Sequence, residues 1–319
     1  MPGDVASGRG HLLVSREVRP SRGKAVEFIA NFMTAGEDPT AWARQREAEG
    51  WHLLGCADHL FTATRPYPHV WVTLATMAAA TDRVRRTSSF ANNLLRTPVE
   101  FAQAALQMQA VSHGRFEAGL GAGWERDEAI GAGLDYPAPG DRAGRYIEAI
   151  QIARQLLRAR QASFHGRYYD IEVPILGPDD PAGPPPLVAS LGGKRTIREV
   201  APLVDGVELK PISSATRNGS LDLGALAAIP RTHVDDLVAR VRAVNPIVPL
   251  GIFILCSVGD DERTCAVERA LGDSFMGGFF GSAPKVAKSL AKLEASGIGR
   301  IQVSPFANSS SSVWIASWP

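Results

Sequence analysis

The sequence predicts an α/β fold, a (β/α)8 TIM barrel with insertions. Short apolar runs rich in β-branched and aromatic residues alternate with longer segments of helical period almost to the end of the chain, which is the pattern of βαβ units around a parallel sheet. The runs number eight, the count that closes such a sheet into a barrel. No G-x-G-x-x-G opens a helix after the first run, which disfavours the competing open, doubly wound sheet.

The strands are expected at 25–32 (AVEFIANF), 52–58 (HLLGCAD), 86–91 (RTSSFA), 115–121 (RFEAGLG), 186–191 (PLVASL), 205–210 (DGVELK), 249–258 (PLGIFILCSV) and 300–304 (RIQVS). Between them the apolar spacing predicts helices over 39–49, 69–80, 98–111, 141–160, 194–201, 231–244, 260–271 and 283–295. The helix from Asp141 carries Tyr146, Ile147, Ile150, Ala153, Leu156 and Leu157 at three- and four-residue intervals, with Asp141 placed to cap its first turn. The helix over 283–295 has Ser282 as N-cap, Pro284 in its first turn and Gly297 as its stop. The irregular stretches 165–186 and 211–230 are expected to be insertions over one barrel face. Residues 25–305 are thus expected to form a single barrel domain, after an expected disordered lead-in over 1–24 and before an atypical C-terminal tail over 306–319.

With 45% hydrophobic and 21% charged residues, the composition is that of a soluble globular protein. Lys and Arg number 34 against 33 Asp and Glu, a net charge of +1, so no global field gathers nucleic acid or anionic lipid. The expected partner is a small molecule, with no nucleic acid and no membrane. No window reaches the ~18 uninterrupted apolar residues of a membrane span. Cys56, Cys256 and Cys265 show neither a C-x-x-C pair nor a disulfide spacing, which points to a reducing, cytoplasmic compartment.

Reactive groups in a barrel are sought where strands end, because those ends converge on one mouth. The second strand closes on Asp58-His59, a carboxylate beside the side chain best suited to moving a proton near neutral pH. A capping Asp next to a surface His is the plainer alternative. The third ends in Ser88-Ser89, followed by Asn92-Asn93, small polar groups that suit the edge of a heteroaromatic ring or a turn. The fourth runs into Gly119, Gly121, Ala122, Gly123 and Trp124. The bare backbone permits close approach of a planar ligand and Trp124 can cover a ring face. Glu125, Asp127 and Glu128 then either serve the ligand or begin a helix whose positive end favours acids. Gly192-Gly193-Lys194 follows the fifth strand before a helix, an arrangement suited to a phosphate.

These segments carry a resemblance. LLGCADHLF, SSFANNLLRTPVEFAQ, VSHGRFEAGLGAGWERDE, the G-D-R-x-x-R-x-x-E-A-I run from Gly140 to Ile150 and GSAPKVAKSLAKLEASGIGRIQV are similar to the bacterial luciferase-like monooxygenases, more narrowly to their deazaflavin (coenzyme F420) dependent oxidoreductases. The resemblance covers roughly 25–305 and implies the same barrel. It implies that Asp58 and His59 stand at the flavin site, with the His near the reactive ring. By the same likeness, Ser88 and Ser89 back the isoalloxazine, Asn92 lies at the same strand end, Gly121 to Trp124 line the pocket, and Gly192, Gly193 and Lys194 take the phosphate. It further implies a non-proline cis peptide behind the ring, expected at Ser88-Ser89. A homodimer is a further expectation. The expected activity is hydride transfer between F420 and a small organic substrate. FMN with monooxygenation is the alternative, and a non-catalytic flavin-binding barrel is the alternative of another class.

Overall fold

The structure, a computed structural model, describes residues 26–63 and 65–305. The expectations for 1–24 and 306–319 lie outside them, as does residue 25 of the first strand. Eight strands build the wall: β1 (Glu27–Phe32), β2 (Leu53–Cys56), β3 (Arg85–Ser88), β4 (Phe116–Gly121), β5 (Leu187–Leu191), β6 (Gly206–Leu209), β7 (Leu250–Val258) and β8 (Arg300–Pro305). Each pairs in parallel with the next. β4 joins β5 with Ala118 opposite Leu187, and β8 returns to β1 with Arg300 opposite Glu27, so the sheet closes. Every expected strand is present, its ends displaced by at most three residues.

The helices are α1 (Pro39–Ala48), α2 (Val70–Ala80), α3 (Pro98–Val111), α4 (Arg126–Gly131), α5 (Pro139–Ala159), α6 (Lys194–Val200), α7 (Leu223–Ala227), α8 (His233–Val244), α9 (Glu262–Leu271) and α10 (Ala283–Ala295). Local grammar sets their starts. Thr97 accepts a hydrogen bond from the Glu100 amide and Pro98 opens the first turn of α3, which satisfies donors that a helix otherwise leaves free. α5 departs from expectation, because it begins at Pro139 rather than Asp141. Asp141 does not cap it but accepts from the Tyr168 hydroxyl at 2.7 Å. Ser282 occupies the N-cap position of α10 without a side-chain capping bond.

Alternation along each strand separates two interiors. Outward residues such as Phe32, Leu54, Leu120 and Ile254 join the inner helix faces, including Tyr146, Ile150 and Ala153 of α5, in one apolar layer. Into the lumen point residues of another kind. At its floor Arg85 pairs with Glu27 at 2.6 Å and Glu117 at 2.8 Å, and Arg300 reaches Glu117 at 2.7 Å.

The two insertions share the mouth only in part. The first begins as an antiparallel hairpin, Ala162–His165 with Asp170–Val173, laid along α5. Its tip bonds Glu148 and Asp141, and Tyr169 meets Asn93 at the mouth. The chain then descends to the floor, where Gln109 at the end of α3 donates to the Gly183 carbonyl. The second insertion starts at the mouth after β6 and packs there, with the Arg126 amide donating to the Gly219 carbonyl. None of the described helices is long and apolar enough to cross a membrane.

Candidate functional site

The groups singled out at the strand ends do converge on the mouth. Asp58 is buried, and both of its oxygens are engaged. Arg96 grips it with Nε at 2.7 Å and Nη2 at 3.0 Å, while the Asn92 amide donates to it at 2.9 Å. Burial works against the Arg96 charge, but Asp58 and then Glu100 outweigh it and hold the guanidinium above its usual pKa. A bidentate, desolvated pair of this kind fixes geometry, so Asp58 ties the end of β2 to the segment after β3.

His59 points elsewhere. Its Nδ1 lies 3.0 Å from Oε2 of Glu128, and the Leu60 amide donates to the other oxygen of the same carboxylate. Glu128 is 1% exposed. Opposite an ionised carboxylate, which only accepts, the tautomer that pairs is the one with its hydrogen on Nδ1, and it leaves Nε2 free of this contact. Tyr67 lies 5.0 Å from the imidazole, centre to centre, and Trp124 packs edge-on at 5.8 Å. Glu125 is partly buried beside them. Desolvation raises its pKa, with the nearby His59 opposing that rise.

The third strand end shows why the fourth strand is rich in glycine. β3 stays in its ladder through the Ser89 amide, which donates to the Cys56 carbonyl at 2.9 Å. The cis peptide therefore falls one residue later than expected, at Ser89-Phe90 rather than Ser88-Ser89. The chain then bulges against β4 and pairs Ala91 and Asn92 with Leu120 and Gly121. A Cβ on Gly119 would collide with the Ser88 carbonyl, and one on Gly121 would come within 3.1 Å of Phe90 Cβ. At Gly123, φ is +78° and a Cβ would meet Asn92 Oδ1 and Leu94. The space expected for a ring is filled at these positions by the protein's own bulge. The Ser88 hydroxyl is also committed, to the Gly119 amide and carbonyl.

Other polar atoms are left over. Asn31 Oδ1, Ser89 Oγ and Asn93 Nδ2 are buried without a hydrogen-bond partner. Asn31 Oδ1 and Ser89 Cβ both lie 3.0 Å from where a Cβ on Gly55 would stand, so the two side chains face the same spot in the upper lumen. A buried polar atom without a partner costs roughly 1–3 kcal/mol, so hydrogen-bonding capacity is left unused at this spot. Gly192, Gly193 and Lys194 stand at the start of α6 after β5. A Cβ on Gly192 would meet the Lys210 carbonyl at 2.5 Å, so this glycine also makes room for neighbouring chain. Ala122 is partly buried between Gly121 and Gly123.

Sequence reasoning missed Arg96 and Lys210 and singled out Glu128 only as one of three acids that either serve the ligand or open a helix, not as the partner of His59. A further groove of about 950 Å³ runs between α5 and the hairpin, lined by Arg154, Arg158 and Glu172. It lies on the floor side of α5, away from His59, and is no part of this site.

Comparison with known proteins bears on the fold and the family. The chain is 29% identical over 161 residues to an F420-dependent glucose-6-phosphate dehydrogenase of Amycolatopsis mediterranei, covering 49% of this chain and 48% of the relative. It is 29% identical over 194 residues to an F420-dependent hydroxymycolic acid dehydrogenase of Mycobacterium tuberculosis, covering 59% and 53%. The chain spans about half the length of the curated relatives it matches. Among solved structures, an F420-dependent secondary alcohol dehydrogenase in complex with an F420-acetone adduct superposes with a TM-score of 0.67 at 16% identity, covering 88% of this chain and 93% of the other. An EDTA monooxygenase of Chelativorans sp. superposes with a TM-score of 0.69 at 11% identity, covering 92% of each. Likeness at that identity speaks for the fold. The profile of the luciferase-like monooxygenases matches residues 23–221, nearly two thirds of the sequence, and the chain belongs to that family.

Proposed function

We propose that the protein is an F420-dependent oxidoreductase that moves a hydride between the deazaflavin ring and a small organic substrate. The observation that carries the reading is the buried Glu128 carboxylate holding His59 at the C-terminal mouth of the barrel, with Trp124 beside it. Such an arrangement orients an imidazole for proton transfer at Nε2. The upper lumen suits the coenzyme, because Asn31 Oδ1, Ser89 Oγ and Asn93 Nδ2 are polar atoms in want of partners and a deazaflavin's ring edge carries both carbonyl and N–H groups. When bound, F420 would supply the hydride chemistry.

The chain's own residues divide the remaining work. Ser88, Ser89, Asn92 and the Gly121 to Trp124 segment form the ring side of the pocket, Ser88 and the glycines by shaping the backbone and Ser89 by direct contact. Gly192, Gly193 and Lys194 are assigned to the phosphate. Asp58 positions, through Arg96 and Asn92, and His59 handles the proton. With its three cysteines free, we place the protein in a reducing cytoplasm.

The test is to titrate the protein into F420 and, separately, into FMN, following absorbance and fluorescence. F420 alone is expected to respond. A response to FMN alone would replace the coenzyme and admit oxygen chemistry, and a response to neither would remove the proposal. Tight binding with no hydride exchange from any alcohol or aldehyde donor would favour a non-catalytic barrel.

A further inference from the structure

Lys210 follows β6 at the same end of the barrel where His59 follows β2. Its Nζ stands 5.6 Å from the centre of the Trp124 ring, and Trp124 packs edge-on against His59. The indole therefore has a cation over it and the imidazole beside it. Among the described residues Lys210 makes no ion pair, and its ammonium has no hydrogen-bond acceptor. Glu208, two residues earlier in β6, would be the natural counter-ion; it favours the ammonium but is not within ion-pair distance. It is 2% exposed, and its Oε1 is without a partner.

Glu125 and Glu128 both lie with His59, whereas Glu208, the carboxylate that acts on Lys210, is also acted on by Arg300 and Glu117 in the lumen. A partly buried ammonium that lacks an anion is held at a cost, which an anionic ligand would offset. The Trp124 face contributes a cation–π attraction that keeps the amine in place while it waits.

We propose that Lys210 is the recognition site for an anionic group of the substrate, a carboxylate or a phosphate, with Trp124 as the wall between that group and the reacting carbon near His59. The substrate class follows: small acids or phosphate esters in which the charged group lies a few bonds from the carbon that exchanges hydride. The inference rests on the proposed function for the reaction at His59, but the anion site itself does not depend on the coenzyme's identity. Burial lowers the Lys210 pKa to about 8, with Glu208 opposing, so the site is charged and competent below that pH and fades above it.

Two measurements test this. In the first, the intact protein is pulsed with acetic anhydride and Lys210 acetylation is read by peptide mass spectrometry, with Lys288 and Lys292 as internal references. Succinate or inorganic phosphate should slow Lys210 labelling at least threefold, while sodium chloride at equal ionic strength and 2-propanol leave it unchanged. Protection by succinate alone identifies a carboxylate, and by phosphate alone a phosphate ester. In the second, whichever anion protects should raise the melting temperature of the wild type, and Lys210→Met should abolish that rise. The proposal is overturned if neither anion protects, if Lys210 cannot be labelled at all, if chloride protects equally, if Lys210→Met keeps the anion-induced rise, or if F420 by itself blocks labelling, which would give Lys210 to the coenzyme. F420 binding is followed separately by its fluorescence, so loss of the coenzyme reading would show there and leave the anion result standing.

Discussion

Glu128 lies 69 residues from His59 in sequence and places its carboxylate 3.0 Å from the imidazole Nδ1. The same carboxylate binds the Leu60 amide, so one buried side chain fixes both the ring and the backbone that carries it.

From this relationship, His59→Asn should lower turnover by on the order of 10²-fold or more with coenzyme affinity retained. Glu128→Gln keeps the shape but lets the amide donate as well as accept, so turnover should fall about tenfold and the pH profile should move. Steady-state rates across pH 5.5 to 9 for both variants, beside F420 titrations, are the check. An unaltered profile in Glu128→Gln would leave that residue a purely structural role.

Asp58 should behave differently from its neighbour. Asp58→Ala strands Arg96 in a mostly dry setting, and breaking one side of a buried pair costs about 3–5 kcal/mol. Chemical denaturation should record that loss, and both stability and coenzyme affinity should fall together. A variant with normal stability and slow turnover would instead make Asp58 a participant in the chemistry.

Gly119→Ala should destabilise the barrel by roughly 2–4 kcal/mol, because the added Cβ meets a backbone carbonyl that cannot rotate aside. Gly140, in the first turn of α5 with open space around it, is the control. Alanine there should be neutral or stabilising by up to about 1 kcal/mol. Melting temperatures of the two variants give the comparison, and equal behaviour would contradict the packing argument.

Burial raises the Glu208 pKa to about 8 from 4.5. Between those values the folded protein keeps a proton that the unfolded chain releases, so this group's contribution to stability declines as pH rises from about 4.5 to 8. Glu208→Gln should remove that decline, with little change at pH 4.5 and a relative gain at pH 8. Lys210 acts in a separate window. Its pKa of about 8, against 10.5 unfolded, makes its contribution unfavourable below 8 and progressively relieved from 8 to 10.5. Denaturation midpoints of both variants across pH 5 to 10 separate the two, and a pH-independent Glu208→Gln increment would refute the assignment.

What was legible in the sequence depended on range. α3 and α10 begin and end where their prolines, caps and apolar stripes place them, because those signals act within a turn. The short α4 and α7 show too few residues for a period to register. That His59 and Trp124 lie at the mouth was readable from their places at strand ends. Arg96 was not, since its meaning lies in Asp58, 38 residues away, and Lys210 looked like any lysine until the fold brought Trp124 beneath it. The glycines of β4 were visible as an opening, but what occupies it is the bulge after Ser89, a partner that only the closed sheet supplies.

The ionic layer of Glu27, Arg85, Glu117 and Arg300 has a kinetic consequence. With these side chains bridged across the floor, the mouth is the rim left for ligand traffic. Were a coenzyme seated at Asn31 and Ser89 beneath a substrate near Lys210, as proposed, the deeper ligand would have to enter first and leave last, which is an ordered sequential mechanism. Its signature would be competitive inhibition between the two coenzyme forms and noncompetitive inhibition of the coenzyme by product.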